Sequence, residues 1–459
     1  MSLDIVILAG GQGKRMRSQK PKVLHEIAGV PMLERVINTA SQLSPNAIHV
    51  IIGHQGEQIK NTLAELNVNW VVQKEQLGTG HALMQAMPHI NDDSHVLVLS
   101  GDVPLIQLET LERLIQSCHI GTPQEAELSL LVATLFDPSG LGRIYRDTDG
   151  NIQAIIEEKD ATDTEKAINE IYSGICIAKA KALNRWLPKL SSENAQGEFY
   201  LTEIIRLAVE EHAPIASMTT KNHLEILGVN NRLQLHTLER EYQMQQAKQL
   251  MTAGVTLADA NRLDVRGELN YGQDVFIDVN SVFIGNVELG EGSYVGPNCL
   301  LTDVKLGANC RIKANSVLEG CTIGAHSQVG PFARIRPGTV LDEHCKIGNF
   351  VETKKAVFDK GSKASHLSYL GDVTIGKAVN IGAGTITCNY DGANKHQTII
   401  EDGAFIGSDT QLVAPVTVGK NATIGAGSTI RKNAPDDALT LTESRQKTIN
   451  GWRRPLKQD

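Results

Sequence analysis

The stretch of residues 323–347, IGAHSQ VGPFAR IRPGTV LDEHCK I, has an aliphatic side chain at every sixth position. These side chains belong to Ile323, Val329, Ile335, Leu341 and Ile347, and three of them precede a glycine. Neither the 3.6-residue period of an amphipathic helix nor the alternation of a half-buried strand has this spacing, whereas a hexapeptide repeat does. About three such hexads close one turn of a parallel β-helix, with the aliphatic side chains pointing inward.

The six-residue step recurs over most of the C-terminal half of the chain. It is found at Leu289, Val295 and Leu301, then at Leu306, Ile312 and Leu318, at Ile375 and Ile381, and finally at Ile400, Ile406, Leu412, Val418, Ile424 and Ile430. The alternative is an ordinary β-sandwich in which the spacing arises by chance. We therefore predict a solenoid of hexapeptide repeats for residues 255–459, ending in a C-terminal tail.

Composition limits the class of protein. The 459 residues suffice for more than one domain, and 41 glycines with only 4% aromatic residues suit a glycine-cornered coil. A net charge of −8 argues against a nucleic-acid or membrane partner. The seven cysteines contain no CxxC pair, which indicates reduced thiols in a cytoplasmic protein and no structural zinc. Residues 1–8 lack the basic leader of a signal peptide, and no apolar run approaches the roughly 20 residues of a membrane span.

A glycine-rich turn follows a predicted buried strand at residues 4–8. The turn reads Ala9-Gly10-Gly11-Gln12-Gly13-Lys14-Arg15-Met16. Backbone N–H groups in such a turn can approach a phosphate chain. It is not a P-loop, because Arg15 stands where Ser or Thr is required, and it lacks the third glycine of the dinucleotide fingerprint. By itself the turn is equally compatible with a structural role.

Two further segments place polar groups at the ends of predicted strands. Strands at 48–52, 70–73 and 96–99 alternate with helical segments, which is typical of a parallel α/β sheet. Gln73 and the turn at 76–82 supply amide side chains that can read a base edge. Asp102 follows the third strand, at the edge where ligands sit in open α/β sheets. A carboxylate with other oxygen donors suits Mg²⁺, although a lone Asp at a strand end is more often a helix cap.

The pattern Gly11-x-Gly13-x-Arg15-Met16 followed by Pro21-Lys22 resembles the signature of sugar-nucleotide pyrophosphorylases. With the segments 141–144, 156–160, 170–174 and 228–231, residues 1–230 resemble the uridylyltransferase half of the bifunctional enzymes that make UDP-N-acetylglucosamine. The resemblance continues to the end of the chain. It implies a Rossmann-like nucleotidyltransferase domain in the first half.

The resemblance also implies which residues of this half contact UTP, N-acetylglucosamine 1-phosphate and Mg²⁺. The substrate contacts would be Leu8, Ala9, Gly10, Gly11, Gln73, Gly78, Thr79, Ser100 and Gly101, with Arg15 and Lys22 as catalytic cations at the phosphates, Asp102 and Asn230 as Mg²⁺ ligands, and Gly142, Glu157 and Tyr172 lining the sugar. Attack on the α-phosphorus of UTP needs charge neutralisation and in-line positioning more than a general base. Cations and Mg²⁺ supply that neutralisation.

Residues 231–254 are predicted to form a helix that joins the two domains. Leu233, Leu238 and Leu250 lie among many charged residues and glutamines, and Gly254 suits the helix end. We interpret the helix as a stiff spacer and not as a core element. A DNA-binding or coiled-coil helix is the alternative, which the acidic chain and the lack of sustained heptads disfavour. The predicted domains are thus 1–230, 231–254 and 255–459.

The hexads are interrupted after Ile347 and again after Ile386, and interruptions in a solenoid usually carry function. The first contains several basic residues and His366, which could take the proton from an amine that attacks a thioester. A solvated charged loop with a surface histidine is the plainer interpretation.

The segments 366–372 (HLSYLGD) and 380–392 (NIGAGTITCNYDG) resemble the acetyltransferase half of the same family. The resemblance implies that His366 is the general base, that Arg336, Lys354, Tyr369, Asn380 and Lys395 bind glucosamine 1-phosphate, and that Ala383, Asn389, Tyr390, Ser408 and Ala426 line the acetyl-CoA cleft. It further implies a left-handed coil that assembles as a homotrimer with its active sites between subunits.

The chain departs from the family at three positions. Tyr172 stands where Asn is common, and we expect its phenol to hydrogen-bond the sugar. Gly10 stands where Ala is usual, which is harmless in a tight turn. The Arg expected at the CoA phosphate falls on Glu443 in an ungapped comparison, with Arg445 two residues later. Both assignments stay open.

The predicted function is therefore bifunctional. Acetyl-CoA acylates glucosamine 1-phosphate, and UTP then converts the product into UDP-N-acetylglucosamine and pyrophosphate. One alternative is a nucleotide-sugar pyrophosphorylase with a non-catalytic hexapeptide domain for oligomerisation, and a second is a non-catalytic binding subunit built on the same folds. The length of the coil and its His/Lys segment disfavour the first, and intact Lys22, Asp102 and His366 disfavour the second.

Overall fold

The computed structural model describes residues 2–455, and the chain divides into two compact units between Tyr242 and Gln243. The strands of the first unit are β1 Leu3–Leu8, β2 Glu26–Ile27, β3 Val30–Pro31, β4 Ala47–Ile52, β5 Asn69–Val72, β6 His95–Ser100, β7 Leu128–Thr134, β8 Arg143–Arg146, β9 Ile152–Ile156, β10 Glu170–Lys179 and β11 Ile215–Thr219. The helices are α1 Met32–Ser41, α2 Gly56–Thr62, α3 Thr79–Ala86, α4 Leu108–Ser117, α5 Asp163–Lys166, α6 Ala180–Trp186, α7 Glu203–Glu210 and α8 Arg232–Thr252. None of these helices is long and apolar enough to cross a membrane.

Nine strands of the first unit form one mixed sheet. Its main path is β11-β7-β10-β6-β1-β4-β5, with β8 and β9 attached beside β10. Strand β1 lies between β4 and β6 and is parallel to both, and Ile5, Val6 and Ile7 are completely buried. A strand covered on both faces needs such an unbroken apolar run. The predicted parallel arrangement is confirmed for β1, β4, β5 and β6, whereas β10 runs antiparallel to β6 and β7.

The carboxyl ends of β1 and β6 meet at one edge of this sheet. Leu8 is in register with Ser100, and the Gly101 N–H donates to the Leu8 carbonyl at 2.9 Å. The glycine-rich turn after β1 and the acidic turn after β6 therefore leave the sheet side by side, as expected for a ligand site in an α/β sheet.

The second unit is a parallel coil built from short strands. They are β12 Thr256–Leu257, β13 Leu263–Tyr271, β14 Phe276–Ile277, β15 Ser281–Leu289, β16 Tyr294–Val295, β17 Leu300–Leu306, β18 Arg311–Ile312, β19 Val317–Ile323, β20 Gln328–Val329, β21 Arg334–Ile335, β22 Val340–Leu341, β23 Lys346–Asn349, β24 Glu352–Phe358, β25 Lys363–His366, β26 Tyr369–Ile375, β27 Asn380–Ile381, β28 Ile386–Cys388, β29 Thr398–Ile400, β30 Phe405–Ile406, β31 Gln411–Val413, β32 Val416–Val418, β33 Thr423–Ile424, β34 Thr429–Ile430 and β35 Leu439–Thr440. Their parallel pairing confirms the predicted left-handed β-helix of hexapeptide repeats.

The aliphatic side chains of the hexads stack from turn to turn. Val295 pairs with Ile312, Ile312 with Val329, and Val329 with Ile347. One turn of the coil is therefore three hexads long, or one residue shorter than three hexads. All four side chains are completely buried. The six-residue spacing read from the sequence is therefore the spacing of inward positions on successive faces of the coil.

The two predicted interruptions behave differently. Ile347 pairs with Ala364, and the coil continues through β24 and β25 without a loop. The prediction of a first interruption is therefore wrong. One turn is a residue shorter than three hexads, and this shifts the inward-pointing positions relative to the six-residue repeat. Ile381, in contrast, pairs with Ile406. The extra residues of that turn include a loop at 389–396, closed by the His396 N–H donating to the Asn389 carbonyl at 2.8 Å.

Helix α8 contributes to a core in each unit. In the first unit Leu238 is 1% exposed and clusters with Met32 and Ile27. In the second unit Ala247 is buried in the core of the coil, and Gln243 bonds the backbone N–H and carbonyl of Val265, each at 2.9 Å. The helix is confirmed, but the expectation that it is not a core element is wrong.

Candidate active sites

A cavity of about 510 Å³ opens at the sheet edge where β1 and β6 end. Among the residues predicted from the sequence it is lined by Leu8, Ala9, Gly10, Gly11, Arg15, Lys22, Gln73, Gly78, Thr79, Ser100, Asp102 and Asn230. Seven further residues line the cavity without having been predicted as individual contacts: Gln12, Gly13 and Lys14 of the glycine-rich turn, Gln76 and Ala82 of the turn at 76–82, and Val23 and Glu198. Most of these lie beside predicted positions, which is the signal that could have found them.

Two cations and two oxygen donors converge in this cavity. Lys22 Nζ donates to Asp102 Oδ2 at 2.5 Å and to Asn230 Oδ1 at 3.4 Å, and Arg15 Nη2 donates to Asn230 Oδ1 at 2.9 Å. The Lys22 and Asp102 side chains are only 14% and 20% exposed. Partial burial strengthens their interactions with a charged ligand relative to bulk water. Residues far apart in sequence thus form one cluster of charged and polar groups in the cavity.

Gln73 is held close to the glycine-rich turn. Its Nε2 donates to the Gly78 carbonyl at 3.1 Å, and the side chain is buried. A Cβ atom at Gly10 would lie 2.9 Å from Gln73 Oε1. The glycine therefore gives this amide room that an alanine would restrict. Gly78, at φ 110°, allows the chain to enter α3 against the backbone of Phe199.

Gly142, Glu157 and Tyr172 form a separate cluster that does not line the cavity. The Tyr172 N–H donates to the Gly142 carbonyl at 2.9 Å, and a Cβ atom at Gly142 would lie 3.7 Å from both carboxylate oxygens of Glu157. Burial raises the pKa of Glu157, while a hydrogen bond from Thr202 Oγ1 at 3.1 Å opposes that shift. Gly101 is also outside the cavity lining, behind Ala9 and Leu33.

The Tyr172 side chain points into the core. It is 8% exposed and belongs to a cluster of buried apolar side chains that includes Cys176. Burial, with that thiol beside it, raises the pKa of the Tyr172 phenol well above its ordinary value. The structure therefore favours a packing role over the expected hydrogen bond from the phenol to the sugar.

In the second unit, five residues of successive turns form what we call the His366 column. Asn349 is in register with His366, and the same register leads through β27, β30 and β33 to the positions of Ala383, Ser408 and Ala426. The Asp409 N–H donates to the Ala383 carbonyl and the Gly427 N–H to the Ser408 carbonyl, which ties the neighbouring turns together. Small side chains at this corner leave an open strip beside the histidine.

Asn349 selects the tautomer of the His366 imidazole. The His366 Nδ1 and Asn349 Oδ1 atoms are 2.9 Å apart, and the amide oxygen can only accept. Nδ1 therefore carries the hydrogen, and Nε2 keeps the lone pair that a general base needs. Sequence reasoning missed Asn349. Its signal was an Asn one coil turn before the histidine, which is visible only once the register is known.

A basic group lies on the neighbouring face of the same turns. Arg336 is in register with Lys354, and Arg336 Nη1 donates to Glu352 Oε1 at 2.8 Å. Lys395, which arrives from the 389–396 loop, lowers the pKa of the Lys354 ammonium, with a smaller contribution from Arg336. These side chains concentrate positive charge, which attracts anions.

The other predicted acetyl-site residues lie on nearby strands of the coil or in the 389–396 loop. A Cβ atom at Gly371 would lie 2.5 Å from the Tyr369 hydroxyl and 2.9 Å from Asn389 Nδ2, so those side chains meet over the glycine. Asn380 is in register with Lys363 on one side and Phe405 on the other. The Tyr390 ring is exposed.

Glu443 and Arg445 are both exposed in the segment after β35. Their assignment to the CoA phosphate stays a prediction.

Comparisons with known proteins agree with this division. Residues 5–138 match the MobA-like NTP transferase domain family, residues 320–355 and 397–432 match the bacterial transferase hexapeptide family, and residues 287–319 match the hexapeptide repeat of succinyl-transferase.

Curated relatives match the chain over all or nearly all of their length. The chain is 66% identical to the "Bifunctional protein GlmU" of Legionella pneumophila strain Philadelphia 1 over 100% of both chains. It is 53% identical to the protein of that name from Marinobacter nauticus, over 99% of both chains, and 53% identical to the one from Methylococcus capsulatus, over 100% of this chain and 98% of the relative. Identity at this level across both units means that the chain belongs to the family of bifunctional GlmU proteins.

Proposed function

We propose that the chain makes UDP-N-acetylglucosamine in two steps, one in each unit. The observation that carries the proposal is that each unit has its own set of chemically suited groups. The first unit has two cations and two oxygen donors in a cavity at the end of β1 and β6. The second has an oriented histidine beside an open corner and a basic group.

The uridylyl step needs charge neutralisation at a polyphosphate. Lys22 and Arg15 face the cavity and supply positive charge for the α-phosphate of UTP and the incoming sugar phosphate. The glycine-rich turn offers backbone N–H groups, and Gln73 and Gly78 would hold the base. Attack by the sugar 1-phosphate oxygen on the α-phosphorus then releases pyrophosphate without a general base.

The donor chemistry of the cavity fits Mg²⁺. Asp102 Oδ2 and Asn230 Oδ1 both lie within hydrogen-bond reach of Lys22 Nζ, so a carboxylate and a carboxamide oxygen face the same space. Mg²⁺ takes such hard oxygen ligands and commonly uses few of them from the protein. Bound there, the ion would neutralise phosphate charge. We assign Asp102 and Asn230 as its protein ligands.

The acetyl step needs a base and a phosphate anchor. Arg336, Lys354 and Lys395 would hold the phosphate of glucosamine 1-phosphate, and His366 Nε2 would accept a proton from its amine as the nitrogen attacks the thioester carbonyl. Acetyl-CoA would lie along Ala383, Ser408 and Ala426, whose small side chains leave space at the corner. N-acetylglucosamine 1-phosphate and CoA are the products.

Assembly and compartment complete the proposal. We assign a homotrimer, because hexapeptide repeats of this kind favour symmetric oligomers. We place the protein in the cytoplasm, because all seven cysteines are free thiols and six of them are buried.

One coupled assay tests the two steps together. Purified protein is given ¹⁴C-acetyl-CoA, glucosamine 1-phosphate, UTP and Mg²⁺, and the products are separated by anion exchange. We expect label in UDP-N-acetylglucosamine. Omitting UTP should stop the label at N-acetylglucosamine 1-phosphate. If no acetylated sugar formed, the result would favour the alternative in which the coil is a non-catalytic oligomerisation domain.

A further inference from the structure

The 389–396 loop is braced by one carboxylate near its tip. Asp391 Oδ1 accepts hydrogen bonds from the backbone N–H groups of Ala393 at 2.8 Å and Asn394 at 2.7 Å, and Asp391 Oδ2 lies 2.7 Å from His396 Nε2. The pKa of Asp391 is held far below its ordinary range by hydrogen bonds. The largest contribution comes from the Asn394 N–H, the next from His396 and then one from the Ala393 N–H. The hydrogen bonds that brace the loop thus also stabilise the ionised form of the Asp391 carboxyl.

His396 connects this carboxylate to the rigid coil. The backbone N–H of His396 donates to the Asn389 carbonyl at 2.8 Å. The side chain of the next residue, Gln397, donates through Nε2 to Thr374 Oγ1 at 2.9 Å. Thr398 then enters β29 and pairs with Val373. The imidazole thus lies where the loop rejoins the coil, with its ring directed back at Asp391.

The braced loop carries residues assigned to two different ligands. Lys395 belongs to the basic group for the sugar phosphate, whereas Asn389 and Tyr390 belong to the acetyl-CoA cleft. Tyr390 and Lys395 face each other across the loop as an antiparallel bridge. Any loosening of the loop would displace both sets of contacts together.

We propose that Asp391 and His396 are a positioning pair for acetyl transfer, which fixes the loop so that Lys395 meets the sugar phosphate and Asn389 and Tyr390 meet acetyl-CoA. The inference rests on the proposed acetyltransferase function. Neither residue of the pair is assigned a contact with a substrate. The pair acts by removing loop and side-chain freedom before the substrates bind, so that less ordering entropy is lost on binding.

The test compares three variants of the full-length chain. His396→Phe removes the donor to Asp391 and keeps a planar ring, and we expect the KM for glucosamine 1-phosphate to rise about tenfold and that for acetyl-CoA to rise severalfold, with kcat within about threefold of wild type. His396→Gln keeps an N–H at a similar reach and should restore both KM values to within about threefold. Ala393→Ser, in the same exposed loop, keeps the backbone N–H and should match wild type.

A second measurement reports on the loop without catalysis. Trypsin can cut after Lys395, and we expect this cut, identified by mass spectrometry, to be about tenfold faster in His396→Phe than in wild type. Glucosamine 1-phosphate should slow the cut in wild type more than in the variant. Unchanged KM values and an unchanged cleavage rate would overturn the inference, as would a loss of kcat alone or a Gln variant as impaired as Phe. A wild-type chain without acetyl transfer would instead overturn the proposed function, and this inference with it.

Discussion

At the scale of single residues, the hydrogen bond between Asn349 and His366 decides which imidazole nitrogen can act as a base. We expect His366→Ala to lower acetyl transfer by about 10² to 10⁴, the usual value of a general base. Asn349→Ala should lower kcat by a smaller factor, roughly tenfold, because the histidine remains but loses its fixed tautomer. Steady-state kinetics with a thiol reagent for released CoA measure both. An Asn349→Ala enzyme with wild-type kcat would show that the bond is not used.

Tyr172 offers a test of how a buried phenol should be assigned. Because its side chain is buried in the core beside Cys176, we expect Tyr172→Phe to leave the KM for N-acetylglucosamine 1-phosphate within about twofold of wild type. The free energy of unfolding should also stay within about 1.5 kcal/mol of wild type, because Phe keeps the buried ring and the hydroxyl is worth at most the net value of one hydrogen bond. Urea unfolding and uridylyl kinetics separate the two effects. A raised KM with unchanged stability would return Tyr172 to the sugar site.

The buried histidine His49 makes the stability of the fold depend on pH. Burial lowers the pKa of His49 below its ordinary 6.5, although Asp4 Oδ1, 3.6 Å from its Nε2, opposes the shift. In the window between the lowered pKa and 6.5 the unfolded chain binds more protons than the folded chain, so stability falls as pH falls. Each such proton contributes at most about 1.4 kcal/mol per pH unit.

The pKa values of His25 and His95 are also lowered by burial and add to this slope. Urea unfolding between pH 7.5 and pH 5 should show the decline, and His49→Gln should make it shallower. The exposed His54 offers a matched control, and His54→Gln should leave the slope unchanged. Equal slopes for wild type and His49→Gln would exclude His49 as a source.

At the scale of elements, α8 determines where the first unit can be cut. Leu238 is buried, Glu239 Oε2 accepts from the Ala28 N–H at 2.7 Å, and Arg35 lies 4.2 Å from the centre of the Tyr242 ring. We therefore expect a fragment of residues 1–230 to be less stable than a fragment of residues 1–252. The burial of Leu238 alone is worth about 1.5 to 3 kcal/mol.

Urea unfolding of the two fragments measures the difference, and a uridylyl assay shows whether the longer one is active. We expect residues 1–252 to retain uridylyl transfer. Equal stability of both fragments would mean that the helix contributes nothing to the core of the first unit.

At the scale of the whole molecule, the two chemical sites belong to different compact units. We expect Asp102→Ala to lose uridylyl transfer by at least about 10² while keeping acetyl transfer, and His366→Ala to do the reverse. A mixture of the two variants should then restore synthesis of UDP-N-acetylglucosamine from glucosamine 1-phosphate, because the acetylated intermediate diffuses between them. The coupled assay measures this. Failure of the mixture, with each single activity intact, would mean that the intermediate does not leave the enzyme.

The sequence by itself determined the two folds, the family and most of the first cavity. The hexads predict the coil because inward positions repeat at a fixed local spacing, from Val295 to Ile430, whatever surrounds them. The glycine-rich turn was found because it follows the apolar strand β1, and Asp102 because it follows the apolar strand β6. Their proximity was predicted because the carboxyl ends of parallel neighbouring strands meet at one edge of the sheet.

Only the tertiary structure decided which distant side chains meet. Asn349 reaches His366 and Leu238 packs in the first unit because strand register and helix packing bring distant residues together, and neither is written in a local period. The direction of Tyr172 was decided in the same way, since a bulge in β10 between Tyr172 and Cys176 sets which face each side chain occupies. Local periodicity selects the element, whereas contacts across elements depend on how those elements pack.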